Sequence, residues 1–116
     1  MAVDDISSQD DDWSTGVMYF REALQALSLD AEGQIEAIGG PNAAWELRQD
    51  AVDFGRALLD SSNGRLSGAV EDGIHALVEA LEQLPEEAYQ GASIKALVHP
   101  RWDSVRSMAE TLLVNM

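Results

Sequence analysis

The sequence predicts an all-α protein, a small antiparallel bundle of four to five helices, on three observations. Apolar residues recur at intervals of three and four through most of the chain, the spacing that stacks side chains on one side of a 3.6-residue helix. Ala and Leu outnumber Ile, Val and Thr, a bias towards helix. Breakers fall between the periodic runs, at Gly39-Gly40-Pro41, Asn63-Gly64, Pro85 and His99-Pro100. No alternating segment rich in β-branched residues is present, so no sheet is expected.

Residues 1–12 carry Asp4, Asp5, Asp10, Asp11 and Asp12 with no basic residue, and read as an acidic, flexible N-terminal tail. Residues 13–116 then form the single bundle domain. The first helix is predicted from Ser14 to Ile38, with Val17, Phe20, Leu24, Leu27, Ala31, Ile35 and Ile38 along one face. Gly33 weakens its interior and either admits a close neighbour or splits it, a break near Ser28 being compatible with the pattern. Pro41 suits the first position of a second helix through Ser61. That helix is broadly apolar: Ala44, Leu47, Ala51, Phe54 and Leu58 form one line, and Trp45, Val52 and Leu59 a second beside it. A face so wide implies two neighbours.

The most regular segment is Ser67 to Leu84. Leu66, Val70, Ile74, Leu77, Leu81 and Leu84 make its buried stripe, whereas Glu71, Asp72, Glu79 and Glu82 stand elsewhere on it with no Lys or Arg in the segment. It is the expected central helix. Residues 86–100 are less regular and read as one short helix or two fragments. A last helix, Arg101 to about Val114, is expected to bury Trp102, Val105, Met108 or Ala109, and Leu112.

One domain of 116 residues can bury about two thirds of the surface of its unfolded chain. The absence of Cys excludes disulfides, thiolate metal sites and cysteine nucleophiles. No basic-then-apolar leader or membrane-length apolar run occurs, which makes the cytoplasm the expected compartment and a membrane partner unexpected. With 21 acidic and 7 basic residues the net charge is −14, which opposes direct binding of nucleic acid or anionic lipid and favours a basic partner. By segment the charge is −5 over 1–12, −3 over 13–40, −1 over 41–66, −4 over 67–84, −1 over 85–98 and 0 over 99–116. The tail, the first helix and the central helix thus dominate the field, and one strongly acidic side follows if the fold unites them.

Candidate partner-binding residues are Asp10, Asp11, Asp12, Trp13 and Glu22 at the start of the chain, and Glu71, Asp72, Glu79 and Glu82 on the central helix. Trp13 either staples the helix start against Val17 or, with Tyr19, anchors a partner within a ring of acids. Trp45 and Trp102 fit apolar faces and are expected in the core. Glu71, His75 and Glu79 share one side of a helix and are weak metal candidates, but the second carboxylate-histidine motif of helical dimetal sites is missing. No Gly-x-Ser-x-Gly or phosphate-binding glycine loop is present, and no cofactor is expected. These features point to a non-enzymatic, acidic protein-binding module for a basic protein, as in inhibitors, antitoxins, immunity proteins or DNA mimics. A structural homo-oligomer, such as a dimer whose acids serve solubility, is the alternative; a metal-dependent helical enzyme is a distant third.

Overall fold

A computed structural model describes residues 2–39, 42–90 and 94–116, with the side chains of 12–39, 42–90 and 95–116. Its helices are α1 (Ala2–Ser28), α2 (Ala31–Ile38), α3 (Ala43–Ser61), α4 (Gly68–Glu82), α5 (Glu86–Tyr89), α6 (Ile94–Leu97) and α7 (Arg101–Asn115). No strand occurs among the described residues, and no helix there is long and apolar enough to cross a membrane.

Four long helices form the bundle. Gly16 of α1 meets Leu58 of α3 while Gly55 of α3 meets Phe20 of α1, so the two run antiparallel. Gly55 also meets Ile74 and Val78 of α4, Arg48 reaches Leu81, and Gly73 of α4 meets Leu112 of α7. Each helix therefore opposes the next in the ring α1, α3, α4, α7, and α1 lies diagonally across from α4. The short helices occupy the joints: α2 packs on α1, α3 and α6, and α5 on α3 and α6.

The expected long first helix is divided at Leu29. Asp30 caps α2 by accepting a hydrogen bond from the Gly33 backbone N–H at 2.8 Å. A Cβ on Gly33 would lie 3.1 Å from that carboxylate oxygen and 3.2 Å from Leu29 Cβ, so the glycine serves the cap and not a helix interior. At the other end α1 begins at Ala2, well before the expected start at Ser14. Pro41 lies outside the described residues, and α3 starts at Ala43. Asn63 and Gly64 adopt φ of 47° and 82°, the left-handed pair that reverses the chain before Ser67 caps α4 through the Val70 N–H.

The core follows the predicted stripes. Phe20, Leu24, Leu27, Ala51, Ile74, Leu77, Leu81, Trp102, Val105 and Ala109 are wholly buried. At Gly55 three helices converge so closely that a Cβ would stand 3.1 Å from Val78 and 3.3 Å from Phe20. Trp102 donates its indole N–H to the Ala88 carbonyl at 2.8 Å, tying α7 to α5. Trp45 departs from expectation, being 47% exposed. At its level α3 faces the four-residue α5, too short to cover an indole, and Trp45 borders an open groove with Asn42, Tyr89 and Gln90.

A polar side chain from α2 is built into the interior. Gln34, fully buried, donates to the Leu27 carbonyl at 2.9 Å and accepts from Arg106 Nη2 at 2.9 Å. Arg106 also donates to the carbonyls of Leu97 at 2.6 Å and Leu29 at 3.1 Å, so one guanidinium links α7 to both ends of the α1–α2 joint and to α6.

Candidate functional site

Opposite its apolar face, α3 turns a line of acids to solvent. Ala44, Leu47, Ala51 and Leu58 are buried, and Val52 turns with Arg48 towards α4 and α5. Arg48 donates to the Leu81 carbonyl at 2.8 Å and lays its guanidinium 4.4 Å from the centre of the Tyr89 ring. Arg56 leans to α4 and pairs with Glu82. What remains on the outer line is Glu46, Asp50, Asp53 and Asp60, spaced by helical turns, with the three aspartates exposed.

These carboxylates crowd one another. Exposed overall but partly desolvated where it edges the α1–α3 side, and flanked by the charges of Glu46 and Asp53, the Asp50 carboxyl is held above its ordinary value of 3.8. The side chain bridging this line is a neutral amide: Gln49 donates to both oxygens of Asp53 at 3.0 and 3.1 Å.

Grooves flank the line. Towards α1 and α2, the groove is floored by Tyr19 and Phe54, stacked with ring centroids 5.6 Å apart and 18° between planes, and edged by Glu22 and Asp50. Towards α4, another groove holds Arg56, Asp60, His75, Glu79 and Glu82. Carboxylates thus continue from α1 across α3 to α4.

The sequence candidates distribute over this surface unevenly. Asp10 and Asp11 have side chains outside the described residues, and Asp12 is exposed. Trp13 is half-buried, packs on the core and lies under Arg65, whose guanidinium carbon is 5.3 Å from the ring centre. It stands seven residues before Phe20 and so begins the buried stripe of α1, one turn earlier than Val17. Glu22 faces the α1–α3 groove, away from Trp13. The expected anchor of Trp13, Tyr19 and Glu22 is therefore two separate places. Glu71 is half-buried, and Asp72, Glu79 and Glu82 are exposed on α4, Glu79 accepting from Gln83 at 3.2 Å.

Because α1 and α4 are diagonal, their acids do not meet directly, and α3 is the neighbour whose outer line joins them. The residues that join them, Asp50, Asp53 and Asp60, were not among the candidates. Among the described residues no three His, Asp or Glu side chains come together in a way that could hold a metal, so Glu71, His75 and Glu79 do not assemble a site. Compared with protein-family models, curated proteins and solved structures, the chain has no match in any of the three.

Proposed function

We propose that this protein is an acidic binding module that engages a basic protein surface, acting in the cytoplasm as an inhibitor, antitoxin or immunity protein does. The observation that supports this reading is the outer line of α3, where Glu46, Asp50, Asp53 and Asp60 project between two further acidic edges while Arg48 is turned inward. Such an arrangement repels nucleic acid and steers a cationic partner by its summed field. Reversal of Glu46, Asp50 and Asp53 to Lys tests it. Rates should be measured over a salt series with a partner recovered by low-salt affinity capture. Association should fall with added salt and with the triple reversal, while dissociation changes little. An association rate indifferent to both leaves the charge with solubility alone.

Self-association is the second reading, favoured by Val98 and Val114, 58% and 86% exposed, Val114 on the segment of zero net charge. A dimer in sedimentation that survives high salt would support it.

A further inference from the structure

The three grooves around α1, α3 and α4 differ in the charge that lines them. The one beside α4 includes Arg56, and the one over Trp13 includes Arg65. The α1–α3 groove is lined by Glu22 and Asp50 with no Lys or Arg, above a floor of Tyr19, Phe54, Ala23 and Ala26. Tyr19 remains 46% exposed although its ring is stacked on Phe54. An open aromatic floor between acidic edges complements a ligand that is apolar along one line and cationic on both sides of it.

The walls restrict the ligand's conformation. Both are helices, whose internal backbone N–H and C=O groups are already bonded within the helix, so they offer side chains and no strand edge. An extended peptide would leave its own backbone groups facing apolar side chains unpaired. A helical ligand satisfies its backbone internally, and a groove between two antiparallel helices is the shape that receives a third. α2 closes one end of the groove with Ala37 and Ile38.

We propose that the α1–α3 groove seats a cationic amphipathic helix, with an apolar residue over the Tyr19–Phe54 stack and Arg or Lys side chains reaching Glu22 and Asp50. This rests on the basic-partner reading and names the segment of the partner that is recognised. Asp50, partly desolvated and flanked by Glu46 and Asp53, gains a countercharge on binding.

The test uses the full chain and fluorescein-labelled peptides of about fifteen residues, roughly four helical turns. One is a Leu/Lys/Arg sequence with leucines at i, i+3, i+4 and i+7; another is a scramble of the same composition; a third replaces the basic residues of the first by Gln. By fluorescence anisotropy the first should bind at least about tenfold more tightly than either other peptide, and Tyr19→Ala should weaken it about tenfold. Paired reversal of Glu22 and Asp50 to Arg should weaken it further, whereas Glu79→Arg on α4 should change it less than about twofold. Ala26→Trp, which fills the groove from its floor, is the second variant should Tyr19→Ala unfold, and should weaken binding likewise. Equal binding of the amphipathic and scrambled cationic peptides, unaffected by the groove variants, would overturn the groove assignment and leave the basic-partner reading intact. If neither cationic peptide binds, and captured basic proteins also fail to bind, both readings fall together.

Discussion

At the corner where α1, α2, α6 and α7 meet, Arg106 turns its guanidinium inward onto Leu29, Gln34 and Leu97, with Asp103 beside it at 3.2 Å. Along the outer line of α3, Glu46, Asp50 and Asp53 stand at successive turns and Asp60 two turns on, with the amide of Gln49 as the neutral bridge. One region uses a cation to satisfy carbonyls that helix ends leave unbonded; the other leaves anions facing water, bridged only by a surface amide of their own helix. The difference separates charge that holds the molecule together from charge that is available to a partner. Substitution at the corner should therefore act on folding, and substitution on the ridge should act on binding.

The largest effect is expected from Arg106→Ala. It removes donors to two carbonyls and leaves the buried Gln34 oxygen without its partner, for a loss of about 3 kcal/mol in urea unfolding, comparable to truncating a core leucine. Arg106→Lys should recover only part, because one ammonium cannot span those acceptors. A loss under about 0.5 kcal/mol for Arg106→Ala would erase the distinction between the two regions.

Arg48→Ala comes next, at about 1 to 2 kcal/mol, from the bond to Leu81 and the stacking on Tyr89. Chemical denaturation compared with Tyr89→Leu would separate the two contributions. By contrast, the triple reversal of Glu46, Asp50 and Asp53 to Lys should leave stability within about 0.5 kcal/mol while changing association.

The smallest effect sharpens the comparison through pH. Because Asp50 is held above its ordinary value of 3.8 in the folded state, its ionisation opposes folding. That penalty is absent below its unfolded value, where both states are protonated, and grows as pH rises to the folded value, beyond which it is constant. Asp50→Asn should therefore melt slightly higher than the parent at about pH 7 and level with it at about pH 3. Thermal melts at those two values are the measurement, and a variant less stable at neutral pH would contradict the desolvation and crowding assigned to Asp50.

Most of the bundle is legible in periodicity: the stripes through Phe20, Ala51, Ile74 and Val105 are the buried ones. The ridge is not, because summing charge along a segment averages over the faces of a helix. Residues 41–66 net only −1, yet Arg48, Arg56 and Arg65 point away from the line shared by Glu46, Asp50, Asp53 and Asp60. Plotting acids at three- and four-residue steps, as is done for apolar residues, would have exposed it. Trp13 is legible too, since it stands four residues before Val17, the spacing of the stripe itself. Gln34 and Arg106 carry no such signal, since their pairing spans 72 residues and depends on how the short helices close the joints.

Burial of Trp102 has an optical consequence. Its indole is enclosed and bonded to Ala88, whereas Trp45 is nearly half exposed and Trp13 lies between these extremes. Trp102 should emit at short wavelength and resist acrylamide, while Trp45 supplies the red, quenchable part of the spectrum. In a Trp13→Phe, Trp45→Phe background, the remaining emission would report the docking of α7 on α5 independently of helix content, so a refolding intermediate with helices formed but α7 undocked would be visible as a red-shifted, quencher-sensitive species.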